Sequence, residues 1–208
     1  MLIIISLLIF AVLNGYELIV RTQAKKLNQE FIDIQTFIYS YQDRFRSLPG
    51  DDTKANERFV GGVVASNVAL SGNAIINGAW DSENSADESF LIWQHLRLAG
   101  IAGGETSFGS EIERQQYIPR NILGGRLGVQ GVHAFILSGI TDMGTQNAVV
   151  VCSDEISGKL AKMMEISMDD GHTHSGSIRA IQRGSMPGLS VLTAAVVDDT
   201  QYTVCMGF

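Results

Sequence analysis

The sequence of 208 residues has only two cysteines, Cys152 and Cys205, both in its C-terminal half. Two cysteines so far apart cannot supply the closely spaced Cys-x-x-Cys pairs of a structural zinc site. We therefore expect one disulfide, which would close a loop of roughly 50 residues and stabilise the fold by on the order of 4 kcal/mol. Such a bond needs an oxidising compartment such as a periplasm. Two buried free thiols are the alternative.

Positive charge is also scarce, because 15 Lys and Arg face 22 Asp and Glu and leave a formal net charge of -7. The averaged field of such a chain repels phosphate groups, so no nucleic-acid partner is expected. Hydrophobic residues make up 45% of the chain, which excludes both a disordered protein and one with several membrane spans.

Catalytic motifs are absent from the sequence. Residues 124–128, Gly-Gly-Arg-Leu-Gly, lack the Lys-Ser or Lys-Thr of a phosphate-binding loop. Ser185 has no nucleophile-elbow motif, and Ser175 is near His172 and His174 only in sequence. The sequence therefore predicts no enzyme and no cofactor.

One short segment gathers side chains that can bind metals, namely Asp169, Asp170, His172 and His174. A divalent metal could use such a set, and the imidazoles would suit a transition metal with a third ligand from elsewhere. Adjacent Asp residues before Gly are also ordinary turn chemistry, and Asp51-Asp52 and Asp198-Asp199 repeat the pair at other turns. We therefore favour a turn and expect no metal site.

The N-terminal segment carries the main apolar run. Residues 1–13 are apolar except for Ser6, and a polar break at 14–17 precedes three more apolar residues, 18–20. As a helix, residues 1–13 span only roughly 20 Å, but the two apolar pieces together approach the roughly 20 residues that a membrane span needs. We expect residues 1–24 to form a hydrophobic membrane helix. Its apolar surface consists of Leu2, Ile3, Ile4, Leu7, Leu8, Phe10, Val12 and Leu13.

Two alternatives apply to this segment. A cleaved secretory signal would need a basic start and a small-x-small cleavage site, and neither flank fits. A buried helix of a soluble protein is the other alternative. The basic residues Arg21, Lys25 and Lys26 follow the apolar run, and the positive-inside tendency would place them in the cytoplasm. Basic residues upstream of Met1 would remove this conflict.

From residue 25 the pattern changes to that of an amphipathic helix with a narrow packing seam. Apolar residues recur at alternating spacings of four and three. The seam consists of Leu27, Phe31, Ile34, Ile38, Tyr41, Phe45 and Leu48. Pro49 and Gly50 then end the helix, because proline cannot continue the hydrogen-bond ladder. Residues 25–52 are thus expected to form the second half of a helix that reaches Ser47 and is about 70 Å long.

Residues 53–208 are expected to form a globular head. Residues 53–84 read as an irregular connection that holds at most a strand or a short helix. Ser85 and Glu88 form the pattern of a capping box before a helix that ends at Gly100, and residues 156–168 predict another short helix. Strands are predicted at 133–137, 148–151, 191–197 and 202–205. This order indicates an α+β fold, in which an antiparallel sheet packs against the long N-terminal helix.

Four segments carry a family likeness: Gly15-Tyr16-Glu17-Leu18-Ile19, Lys26-Leu27-Asn28-Gln29-Glu30-Phe31, Tyr39-Ser40-Tyr41-Gln42-Asp43-Arg44-Phe45 and Leu48-Pro49-Gly50-Asp51-Asp52. They resemble the type IV pilin and pseudopilin superfamily of Gram-negative bacteria, and weaker similarities follow at 91–100, 168–171 and 176–179. The resemblance implies a single-pass inner-membrane subunit with its head in the periplasm. It further implies assembly with other pilin-like subunits, through the N-terminal helix, into a type IV pilus or a type II secretion-like filament.

The start of the chain departs from this family. Members begin with a basic leader, a Gly-Phe-type cleavage junction and a glutamate a few residues into the apolar helix, and this sequence shows none of the three. We expect that Met1 lies inside the mature helix of the family pattern and that the sequence is truncated. A prepilin peptidase is expected as a partner only if a leader exists upstream of Met1.

Two other functions remain open at this point. The head could be an adhesive or ligand-binding module with residues 53–84 as its contact surface, which an exposed Trp80 would favour. A membrane-anchored hydrolase or metalloprotein that uses Asp169, His172 and His174 is the third possibility.

Overall fold

The longest element is helix α1, Leu2–Phe45, which is about 66 Å long at 1.5 Å per residue. The structure, a computed structural model, describes residues 2–66, 71–132, 149–183 and 190–208. Helix α1 ends two residues before the predicted Ser47, where Arg46 adopts a left-handed φ of 55°. The long N-terminal helix that the sequence predicts is therefore present.

The described residues form four further α-helices, more than the one or two that the sequence predicts. These are α2 at Ala55–Arg58, α3 at Glu88–Leu98, α4 at Glu111–Tyr117 and α5 at Gly158–Met168. The predicted capping box at Ser85 is wrong, because α3 begins at Glu88 after Asp87 and the Glu88 side chain turns to Asn77 instead. A capping box does form in α4, where Ser110 and Glu113 bond each other's backbone amides.

Four antiparallel strands form one sheet in the order β1-β2-β4-β3. They are β1 at Leu127–Gly131, β2 at Val149–Ser157, β3 at Ile178–Gln182 and β4 at Gln201–Gly207. This sheet and the long helix confirm the predicted α+β fold. The predicted strand 202–205 falls within β4, and residues 149–151 of the predicted strand 148–151 fall within β2. Residue 148 and the predicted strand 133–137 lie outside the described residues.

The predicted strand 191–197 is wrong. This segment contains a 3-10 helix, Thr193–Ala195, and only Ser190 makes an isolated bridge, with Ile181 of β3. The cause is Thr173, whose amide donates to Thr193 Oγ1 at 2.9 Å and whose hydroxyl donates to the Val191 carbonyl at 2.7 Å. Tertiary contacts thus override the strand propensity of the β-branched residues.

The core lies between the sheet and a layer made of α1, α3 and α5. Along β2, Val149 and Val151 point into this core, while Val150 and Cys152 belong to a second cluster on the opposite face. This division follows from the two-residue period of a strand. Trp80 belongs to the second cluster. A Cβ on Gly128 would lie 1.8 Å from the backbone carbonyl oxygen of Trp80. Glycine at position 128 therefore allows the connection before α3 to pack directly on β1.

Candidate assembly surface

The second half of α1 is buried in the head. The buried members of the predicted seam are Leu27, Phe31, Ile34, Ile38, Tyr41 and Leu48, and Phe45 is half-buried. The seam also continues toward the N-terminus, because Val20 and Ala24 are only 5% and 4% exposed. Both keep the alternating spacing of four and three, so the end of the predicted hydrophobic segment 1–24 belongs to the head.

The apolar side chains that the structure describes in the first half of α1 are exposed. Every hydrophobic side chain that the structure describes between residues 3 and 19 is 52% to 75% exposed, and these are Ile3, Ile4, Ile5, Phe10, Tyr16, Leu18 and Ile19. The side chains of Leu2, Leu7, Leu8, Val12 and Leu13 lie outside the described part. Among the described residues, we find no helix that combines the length and the apolar character needed to cross a bilayer. We call these seven exposed side chains the assembly surface, because exposed apolar patches on a protein mark candidate interaction sites.

Polar contacts mark the boundary between the two halves of α1. The Arg21 guanidinium donates to Glu17 Oε1 at 2.7 Å. The ammonium group of Lys159, on α5, lies 4.7 Å from the ring centroid of Tyr16. The head therefore contacts α1 as far as Tyr16.

The turn after α1 is held by Asp52, which is 1% exposed. Its carboxylate accepts hydrogen bonds from the Tyr41 hydroxyl at 2.8 Å, from the Lys54 amide at 3.0 Å and from the Arg58 guanidinium. The carboxylate of the preceding residue, Asp51, accepts a hydrogen bond from the Ala74 amide at 2.7 Å. Asp51 and Asp52, which end the fourth segment of the family likeness, thus have a structural role in this chain.

Gly50 and His95 complete this turn. Gly50 has a φ of 91°, and a Cβ there would lie 2.4 Å from the Glu88 carbonyl oxygen, so only glycine fits. Its amide donates to His95 Nδ1 at 2.9 Å, while His95 Nε2 donates to the Val63 carbonyl at 2.8 Å. Burial lowers the pKa of His95, so the imidazole is neutral and both nitrogens are used by the fold.

The candidate metal segment after α5 forms a turn, as the sequence favours. The Asp169 carboxylate accepts the amides of Ser177 and Ile178, the latter at 2.9 Å. Asp170 accepts the His172 amide at 2.8 Å and the Ser175 hydroxyl at 3.1 Å. The rings of His172 and His174 lie 5.9 Å apart, between centroids. These bonds account for the shape of the loop.

The structure adds Glu165 of α5 to this segment. One carboxylate oxygen each from Glu165, Asp169 and Asp170 lies within 4.8 Å of the others. Burial, the charge of Asp169 and contact with Asp170 raise the pKa of Glu165 to about 8. Its position four and five residues before the two Asp is a signal in the sequence, because residues four apart share a helix face. Its burial depends on packing against other elements and could not be read from that spacing.

The features that would favour a ligand-binding head are weak. Trp80 and Trp93 are 8% and 3% exposed, so both belong to the core. A groove of about 570 Å³ is lined by Arg97, Phe108 and Tyr117. The Arg97 guanidinium is occupied there, because it donates to the carbonyls of Gly103, Glu105 and Tyr117.

Comparison with known proteins adds no relative. The chain matches no family model, no curated protein and no solved structure. The fold itself defines an α+β protein in which a long N-terminal helix packs on an antiparallel sheet, an arrangement compatible with a pilin-like fold.

Proposed function

We propose that this chain is a structural subunit, of the minor pilin or pseudopilin kind, that assembles into a filament through the first half of α1. The supporting observation is the exposed apolar assembly surface, Ile3 to Ile19, on a helix whose second half is fixed in the head. When another molecule covers this apolar surface, each Å² removed from water stabilises the complex by roughly 25 cal/mol. Another copy of the same helix offers the matching chemistry.

Before assembly the same apolar surface must also be kept from water, and the lipid of a membrane can do this. A long apolar helix is stable in a bilayer, and it can leave the bilayer when the helices of other subunits replace the lipid around it. We therefore propose an inner-membrane subunit with its head in the periplasm, where a disulfide such as Cys152–Cys205 persists. Subunits related by a screw operation make heterologous contacts that extend without closing. The likeness of residues 15–52 supports a type IV pilus and a type II secretion-like filament equally.

The experiment compares the full chain with a chain that begins at Val20. Deletion of residues 1–24 would also remove Val20 and Ala24 from the core, so the structure places the cut before residue 20. We expect the full chain to sediment with membranes and to need detergent for extraction. The shortened chain should be soluble, monomeric and folded. A full chain that is soluble and monomeric without detergent would contradict the proposal.

Point variants test assembly separately, by electron microscopy of the full chain after detergent removal. Ile4→Asp and Leu18→Asp put a charge on side chains that are 64% and 67% exposed on the assembly surface. Val60→Asp is the matched control, because Val60 is a fully exposed (100%) apolar residue of the head. We expect filaments from the wild type and the control only, with equal thermal unfolding of all four proteins. Filaments from every variant would rule out this surface.

A further inference from the structure

The charges of the chain are distributed unevenly along the sequence. The whole chain has a formal net charge of -7, yet residues 1–28 contain three basic residues and one acidic residue. The basic residues are Arg21, Lys25 and Lys26, and all of them lie within seven residues after Ile19, the last member of the assembly surface. A local positive charge can attract anionic groups although the averaged field of the chain repels them.

Lys25 and Lys26 carry charges that the fold does not use. Both residues are exposed, and neither forms an ion pair with any residue that the structure describes. Arg21 differs, because Glu17 neutralises it at 2.7 Å. Residues 25 and 26 lie about 100° apart around α1, so the two lysines face different sides of the helix. Each Cα–Cβ bond of a helix tilts toward the helix N-terminus, which here is the apolar end.

A third lysine, Lys159 of α5, brings the head to the same level of α1. Its ammonium group lies 4.7 Å from the ring centroid of Tyr16, and the structure shows no ion pair of Lys159 within its described ranges. Tyr16 is 58% exposed at the end of the apolar run, and tyrosine is enriched where a membrane meets water. We call Lys25, Lys26 and Lys159 the boundary lysines.

We propose that the boundary lysines bind the anionic headgroups of the phospholipid bilayer that holds the first half of α1. This inference rests on the membrane location proposed above. Lys25 and Lys26 lie about 9 and 10 Å beyond Ile19 along the helix axis. The headgroup region extends roughly 5–7 Å beyond the hydrocarbon on each side of a bilayer, and a lysine side chain is long enough to reach back to it.

Two features of the surface favour lipid as the partner. The boundary lysines adjoin the assembly surface, so one bilayer can cover the apolar side chains and place phosphate groups beside the ammonium groups. Each lysine near an anionic membrane surface strengthens binding, and this attraction acts in either leaflet. Because two elements contribute, α1 through Lys25 and Lys26 and α5 through Lys159, the contact would also fix the orientation of the head on the membrane.

The test is flotation of the full chain with phospholipid vesicles on a density gradient, at limiting lipid and after removal of detergent. One set of vesicles contains phosphatidylcholine alone, and the other contains equal amounts of phosphatidylcholine and phosphatidylglycerol. We expect a partition coefficient at least about tenfold higher for the anionic vesicles, and concentrated sodium chloride should remove this gain because it screens the charges.

The decisive variant combines Lys25→Gln with Lys26→Gln. Both positions are exposed, so its thermal unfolding should equal that of the wild type, and it should bind neutral vesicles equally well. It should lose most of the gain on anionic vesicles. Arg46→Gln with Lys54→Gln is the matched control, because it removes two exposed charges beyond the other end of α1, about 30 Å away, and should keep the gain.

The possible outcomes separate this inference from the proposed function. A full chain that floats with neither kind of vesicle would contradict the membrane location and this inference together. Equal partition into both kinds, or the same gain in the decisive variant and the control, would overturn the inference alone. Loss of filaments without loss of the gain would assign the lysines to a neighbouring subunit and would also overturn it.

Discussion

Asp52 connects α1 and α2 through one buried carboxylate. It receives the Tyr41 hydroxyl from α1, the Arg58 guanidinium from α2 and the Lys54 amide between them. Burial and the hydrogen bond to Asp52 raise the pKa of Tyr41, so its hydroxyl remains a donor. The charge of Asp52 is tolerated in the core because each partner is a donor.

Replacing Asp52 should therefore destabilise the protein strongly. Asp52→Ala leaves the Arg58 charge and the buried Tyr41 hydroxyl without their partner, and we expect a loss of about 3 kcal/mol in the free energy of unfolding. Urea denaturation of the full chain in detergent measures it. Asp43→Ala is the control, because that side chain is 84% exposed and pairs with Arg46 at 3.6 Å. A surface pair of this kind should contribute less than about 1 kcal/mol. Equal losses in the two variants would contradict this role of Asp52.

Among the elements, those with a continuous local pattern could be predicted from the sequence. Helix α1 shows a regular alternation of apolar residues, α3 and α5 show helical spacing, and β2 and β4 contain β-branched runs. Each of these patterns comes from a face that the element itself buries. Their ends were less predictable, because the Glu88 side chain bonds Asn77 instead of completing a capping box, and Arg46 adopts a left-handed φ.

The elements that the sequence did not predict depend on distant contacts. Strand β1 contains Gly128 and Gly131, which weaken a strand signal, yet β1 needs them because loop residues 76–80 lie against it. Strand β3 has only five residues, and it is held in the sheet by its pairing with β4. In the same way, the exposed half of α1 was predictable as an apolar run, whereas the environment of Glu165 emerged only from packing.

Glu88 gives α3 a pH-dependent contact with the preceding loop. Its carboxylate is 2% exposed and accepts both the backbone amide and the side-chain amide of Asn77 at 2.8 Å. Burial first, and then neighbouring Asp51, raise the pKa of Glu88 from 4.5 to about 7, while the bonds from Asn77 act in the opposite direction. The folded protein thus binds this proton more tightly than the unfolded chain.

The stabilisation from this proton is complete below about pH 4.5 and is lost as the pH rises through about 7. Glu88→Gln removes the titration and keeps an acceptor for Asn77. Relative to the wild type, the variant should therefore gain up to about 3 kcal/mol between pH 5 and pH 8. Urea denaturation at the two pH values measures the difference. Glu57→Gln, at an exposed position of α2, should show no such change. A constant difference between Glu88→Gln and the wild type would disprove the linkage.

At the scale of the whole molecule, the disulfide joins the two central strands of the sheet. Cys152 of β2 and Cys205 of β4 are directly paired, and both are 0% exposed. The chain between them, with a sequence separation of 53, contains α5 and β3. The bond therefore constrains much of the head in the unfolded state and adds no new contact surface in the folded state.

Reduction should lower the stability of the whole fold without changing its shape. For a closed loop of this length, the chain-entropy model gives a loss of about 4 kcal/mol. The measurement compares urea denaturation of the oxidised full chain with that of the same chain reduced while unfolded and then refolded with reductant. Because the oxidised and reduced chains have the same side chains, the difference in their free energies of unfolding contains no contribution from a cavity in the core. Cys152→Ala with Cys205→Ala should lose more, since it also removes two buried sulfur atoms. Equal midpoints for the oxidised and reduced chains, or two free thiols by mass in the native protein, would contradict the cross-link.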